Sequence, residues 1–149
     1  MTTAAETGPG NGPVKWPVSI KGVLFIGMEV VLLKNERDEW ELPGGRLEAG
    51  EEPAQCLRRE IAEELGVETE IGALLDCWRY PVLLGREVLI VTFGAKLLAE
   101  ARLSLSHEHK ELGRFGLADL ESLNMPEGYR RSIRDWASRL GLSPVGFGG

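Results

Sequence analysis

Cysteine is scarce in this chain, with only Cys56 and Cys77 among 149 residues. No CxxC pair or Cys/His spacing of the zinc-site kind occurs, which tells against a structural zinc. Two cysteines without a secretory signal point to reduced thiols and a cytoplasmic setting, and both are expected to behave as small buried hydrophobes. Histidine is equally rare, and His107 and His109 read as part of an exposed loop rather than as metal ligands. No apolar run approaches the ~20 residues that a membrane-spanning helix needs. Residues 1–13, rich in Thr, Ala, Gly and Pro, lack the basic start and apolar run of a signal peptide and are expected to be a disordered tail. Residues 143–149 are expected to be a second flexible tail. Positive charge is also short. Lys and Arg total 17 against 23 Asp and Glu, a net charge of −6. That balance tells against a general grip on nucleic-acid backbone, which rewards clustered cations. Phosphorylated small molecules remain within reach if bound cations supply the missing charge.

What is present fits a soluble globular domain, expected over residues 14–142. Hydrophobic residues make up 43% and charged residues 27% of a chain long enough to bury a real core. Residues 14–26 are rich in Val, Ile and Phe and predict a strand, turned by Gly27-Met28-Glu29 into a hairpin with residues 30–33. Glu41-Leu42-Pro43-Gly44-Gly45 is expected to stop regular structure firmly. The strongest helical signal spans residues 52–65, where Ala54, Leu57, Ile61 and Leu65 form one apolar stripe. Pro53 suits its first turn and Gly66 its end. Strands are predicted over 67–80 and 86–98, with a turn at 84–86, and over 111–117. A short helix is expected at 119–123. A longer one is expected at 127–140, with Tyr129, Ile133, Trp136 and Leu140 on one face. Strands on both sides of a central helix, followed by a terminal helix, predict an α/β fold in which helices sandwich a mixed sheet.

The chemistry concentrates in the helix at 52–65. Glu60, Glu63 and Glu64 lie at i, i+3 and i+4 and share one face. An acidic cluster is ordinarily a solvated surface. Here it sits toward the helix C-terminus, where the macrodipole disfavours negative charge, and it follows a Pro-Gly-Gly loop. Closely spaced carboxylates are what a hard divalent cation such as Mg²⁺ requires, and bound metal both relieves their repulsion and offers charge to phosphate. Arg59, at i, i+4 from Glu63, is placed to orient that carboxylate.

The segment from Gly45 to Val67 resembles the Nudix box: Gly, five residues, Glu, seven residues, Arg-Glu-aliphatic, any residue, Glu-Glu, any residue, Gly-aliphatic. Gly45, Glu51, Arg59, Glu60, Ile61, Glu63, Glu64, Gly66 and Val67 fill all nine defined positions of that 23-residue pattern. This is a far more specific signal than a lone glycine motif. Trp40-Glu41-Leu42-Pro43-Gly44-Gly45 also resembles the family's usual approach to the box. The resemblance implies the Nudix fold, an α/β/α sandwich with a mixed β-sheet. It implies hydrolysis of a diphosphate linkage in a nucleotide-type substrate such as a nucleoside triphosphate, ADP-ribose or a dinucleoside polyphosphate. It implies Mg²⁺, or Mn²⁺ as a substitute, held by Glu60, Glu63, Glu64 and the backbone of Gly45. Arg59 and Glu51 would then orient the carboxylates. Many members also carry a glutamate near 106–111, and Glu108 is the candidate here, ahead of Glu111. Glu63, Glu60 and Glu108 all stand as candidate general bases.

Specificity in this family lies outside the box. Trp40, Arg46 and Tyr80 are the candidates to touch substrate, with Trp16, Trp78 and Phe93 as further aromatic residues that a base could stack on. Two other readings compete: a catalytically silent Nudix-like regulator that binds a nucleotide, and an unrelated interaction protein with an acidic helix. Silent members usually show eroded box glutamates, and none is missing here. Nucleic acid and membrane are not expected partners, and the resemblance leaves room for a homodimer.

Overall fold

A computed structural model describes residues 15–83, 85–100, 102–105 and 111–143. Nine-residue β1 (Val18–Ile26) leads through a turn at Gly27-Met28 into β2 (Glu29–Lys34). The pair is antiparallel, with Phe25 opposite Val30 and Ile26 opposite Glu29, as the hairpin signal predicts. Gly27 has φ +61°, a conformation that favours glycine. Residues 30–33 bury every side chain because alternate positions enter cores on opposite faces of the sheet: Val30 and Leu32 on one, Val31 and Leu33 on the other.

The stretch expected to stop regular structure does not. Trp40–Glu41 forms β3 and Gly44–Arg46 forms β4. Pro43 interrupts them, but β4 pairs antiparallel with β1 through Ser19–Arg46, Ile20–Gly45 and Lys21–Gly44. Here glycine permits pairing. Gly44 has φ +139°, and a Cβ there would lie 2.0 Å from the Ile20 carbonyl oxygen. Tertiary pairing overrides the local breaker signal.

Helix α1 (Pro53–Leu65) begins at Pro53 and ends at Gly66 in the left-handed conformation, φ +73°. The Gln55 side chain accepts a bond from the Glu52 backbone N–H. Strands β5 (Thr69–Leu83) and β6 (Arg86–Leu97) form a long antiparallel pair with irregular register near Leu74 and Leu83. Strand β7 (Glu111–Gly116) pairs with β2 and leads into a 3₁₀ turn at Leu117–Ser122. Helix α2 (Glu127–Leu140) closes the described chain.

The main sheet order is β3-β2-β1-β6-β5, with β4 added to β1 and β7 to β2. Only β1 and β6 run parallel among these pairs, so the sheet is mixed. Leu57, Ile61 and Leu65 of α1 join Ile20 and Leu24 in one core. Tyr129, Ile133 and Trp136 of α2 join Val23, Val88 and Ile90 in the other. The α/β/α sandwich expected from the sequence is the observed architecture. Glycine permits close contacts on the α2 side, where a Cβ at Gly94 would lie 2.3 Å from the Trp136 ring and one at Gly128 2.2 Å from the Trp78 ring. No described helix is long and apolar enough to cross a membrane.

Of the two cysteines, Cys56 is buried on α1 but Cys77 is exposed, so only one acts as a core hydrophobe. Strand alternation explains the difference, because Trp78 and Tyr80 point to the α2 core and Cys77 points away.

Candidate active site

Helix α1 and the short strand β4 build the site together. The last turns of α1 lie against Gly44-Gly45, and each glycine receives one glutamate. The Gly44 N–H donates to Glu64 Oε1 at 2.9 Å, and Glu64 is only 4% exposed. Glu60 lies over Gly45 so closely that a Cβ on that residue would sit 2.4 Å from its carboxyl carbon. Two of the three clustered glutamates are therefore held against backbone rather than spread into solvent. A buried carboxylate accepting a backbone N–H is not the solvated acidic face that charge patterning alone suggests.

Glu63 is the exception, with its side chain 61% exposed. It lies 3.4 Å from Arg59 Nη1. Among the described residues, no three acidic, His or Cys side chains stand close enough to enclose a metal ion as they lie. Arg59 Nη1 reaches both Glu60 and Glu63. The available donors are nonetheless all hard oxygens, those of Glu60, Glu63, Glu64 and the Gly45 carbonyl, which is the donor set a small divalent cation prefers. Glu63 has solvent around it and room to turn toward the other two.

Arg59 organises the outer layer. Its Nε and Nη2 donate to the two oxygens of Glu51 at 2.6 and 2.9 Å, a bidentate clamp. Its Nη1 donates to Glu60 at 3.0 Å. The sequence predicts Arg59 contacting Glu63, but the stronger partners are Glu51 and Glu60. The Arg59 hydrogen bond holds the Glu51 carboxyl down to about 2, against the desolvation that acts the other way. Burial, then the negative charge of Glu51, push the Cys56 thiol up to about 11, so it stays protonated at neutral pH.

Beside β4 lies a cavity of about 170 Å³ lined by Ser19, Lys21, Arg37, Arg46, Tyr80 and Tyr129, among others. Two of the expected substrate-contacting residues, Arg46 and Tyr80, meet there. The Tyr80 hydroxyl donates to Glu39 at 2.8 Å, and burial followed by this carboxylate raises it to about 12. Trp40 is placed elsewhere. It is 8% exposed, edge-on to Phe115 at 4.9 Å with Lys34 over its ring, so core packing occupies it. Trp78 is half-buried and edge-on to Tyr80 and Tyr129, and Phe93 packs with the α1-side core. Trp16, 40% exposed, borders a larger surface cleft with Lys15, Arg79 and Arg86 that includes no box residue. Glu108, His107 and His109 lie outside the described residues, and Glu111 opens β7, where Lys34 is within 3.9 Å.

Sequence reasoning missed Lys21. It is 7% exposed, lies 3.8 Å from Glu41 and donates to the Gly44 carbonyl at 3.4 Å. Burial alone would lower its pKa, but Glu41, Tyr129, Glu64 and Glu60 outweigh burial and raise it, so it is charged. The available signal was a lone cation inside the apolar strand Val18–Ile26.

A sheet between two helices, with an acidic helix anchored on a di-glycine strand, is the architecture that the sequence resemblance implies. The NUDIX domain family model matches residues 17–136, and the chain belongs to the Nudix hydrolase family. It is 30% identical over 129 residues to "Putative 8-oxo-dGTP diphosphatase 2" of Mycobacterium tuberculosis, covering 83% of this chain and 89% of that protein. It is 40% identical over 57 residues to "Putative ADP-ribose pyrophosphatase YjhB" of Bacillus subtilis, a match spanning 38% of this chain and 27% of that one. The fold superposes on a NUDIX-family hydrolase from Clostridium perfringens with TM-score 0.74, at 15% identity, covering 85% of this chain and 99% of that structure.

Proposed function

We propose that the protein hydrolyses a diphosphate linkage in a nucleotide-type substrate, with Mg²⁺ as cofactor and Mn²⁺ able to replace it. The observation that carries this reading is the anchoring of Glu64 and Glu60 on the consecutive glycines 44 and 45. Glu60, Glu63, Glu64 and the Gly45 carbonyl would hold the metal. A divalent cation held there would supply positive charge for the diphosphate and make water easier to deprotonate. The protein's own groups do the rest. The Gly44 N–H fixes one Glu64 oxygen, and the Arg59 clamp fixes Glu60. Glu63 is the most exposed carboxylate of the three, and Glu63, Glu60 and Glu108 are the candidate bases for the attacking water. Arg46 and Lys21 border the cavity beside β4, and Lys21 lies close enough to Glu64 and Glu60 to interact with their charge.

At about 170 Å³ the cavity is smaller than the ~300–1,000 Å³ of ordinary ligand pockets, so it suits one end of a substrate. The diphosphatase and pyrophosphatase names of the two relatives support a nucleotide-type substrate. The test is a substrate panel with Mg²⁺: canonical and oxidised nucleoside triphosphates, ADP-ribose, sugar nucleotides and dinucleoside polyphosphates, with products resolved by anion exchange. Cleavage of one class, abolished by EDTA, is the expected result. Cleavage that persists in EDTA would overturn the metal-dependent reading.

A further inference from the structure

Lys21 is the buried charge that this mechanism leaves without a task beyond lining the cavity. A lysine this buried is rare, because desolvating an ammonium is costly unless it is paired. Its pairing has a direction. Glu41 holds it from one side at 3.8 Å, and Glu41 is itself held by Asn35 Nδ2 at 3.0 Å. On the other side its ammonium donates to the Gly44 carbonyl. Gly44 sits directly opposite Lys21 in the β1–β4 register. The same residue gives its N–H to Glu64, and its neighbour Gly45 carries Glu60. Both peptide groups of Gly44 are thus fixed by charge: the carbonyl by Lys21, the N–H by Glu64.

A cation that only occupied space near three glutamates would compete with a metal for them. One that fixes the strand on which two of them rest does the opposite. We propose that Lys21 is a positioning residue: through the Gly44 carbonyl it sets the Gly44-Gly45 strand that seats Glu64 and Glu60, and so strengthens divalent-metal binding. This rests on the metal-binding reading given above. Outer-layer partners of metal ligands typically change affinity by about 10–100-fold.

The experiment is titration of the purified full chain with Mn²⁺, following free Mn²⁺ by electron paramagnetic resonance, together with kcat and KM. For Lys21→Met we expect Mn²⁺ binding weakened about tenfold or more and kcat lowered more than KM is raised, with Lys21→Arg recovering part of both. Unchanged or tighter Mn²⁺ binding by folded Lys21→Met overturns the proposal, since it marks Lys21 as inert or as a competing charge. If Lys21→Met does not fold, the double variant Lys21→Met with Glu41→Gln removes both charges of the pair, and the same two outcomes decide. Wild-type protein that binds no Mn²⁺ would overturn the metal reading itself, a result distinct from either outcome in the variants.

Discussion

At the scale of single residues, the three glutamates are not equivalent. Glu64 is buried on a backbone donor, Glu60 is clamped by Arg59, and Glu63 stands in solvent. Glu63→Gln and Glu64→Gln should each reduce turnover by about 100-fold or more, since both remove a proposed ligand and outer-layer losses alone reach that range. Circular dichroism should show an intact fold in both, and near-wild-type turnover at saturating Mg²⁺ would remove that residue from the site. Glu51 has a different consequence. Its carboxyl is depressed from an ordinary 4.5 to about 2, so its pairing with Arg59 stabilises the folded state above pH 4.5. That contribution is lost as pH falls from there through about 2. Glu51→Gln should flatten the pH dependence of Tm across this window, and an unchanged slope would show that the clamp contributes nothing to folding.

At the scale of elements, the site depends on β4 touching α1 without a side chain between them. Gly45→Ala places a methyl group into the Glu60 carboxylate and should displace it. The expected result is a more than tenfold loss of Mn²⁺ affinity with only a modest change in Tm, read by the same titration. The elements themselves were largely legible. The period of Leu57, Ile61 and Leu65, with Pro53 before and Gly66 after, specifies α1 to within one residue: expected from 52, it begins at Pro53 and ends at Leu65. The carboxylate spacing likewise placed Glu60, Glu63 and Glu64 together on α1, the face proposed above to hold the metal. What could not be read was pairing between distant segments. Pro43-Gly44-Gly45 looks like a breaker until β1 lies beside it, because a local signal carries no information about its partner. Trp40 looked available to a ligand because aromaticity does not report burial, and Phe115, which covers it, lies far along the chain. Lys21 was overlooked for the same reason, since its partners Glu41 and Gly44 become neighbours only in the folded sheet.

At the scale of the whole molecule, excess negative charge would give a bound metal a part in stability. The net charge is −6, and the proposed ligand set concentrates three carboxylates within one turn of helix. A ligand that binds only the folded state stabilises it by mass action, by about 2.7 kcal/mol at a hundredfold excess over Kd. For a domain of this size that corresponds to roughly 5–10 °C in Tm. Saturating Mg²⁺ should therefore raise Tm by about this amount and EDTA should reverse it, and calorimetry showing no shift would contradict metal binding at the site.

The parallel alignment of β1 with β6 also bears on how the molecule comes into being. Val18 lies beside Leu89, with the hairpins, the di-glycine strand and α1 all intervening in the chain. Contacts so distant along the sequence carry a large loop-closure cost and form slowly. Because β4 is seated on β1, the carboxylate cradle gains its final shape only when that central strand is in place. In a refolding experiment, tight Mn²⁺ capture should consequently lag behind the recovery of helical circular dichroism, making the cation a reporter of β4 docking onto β1.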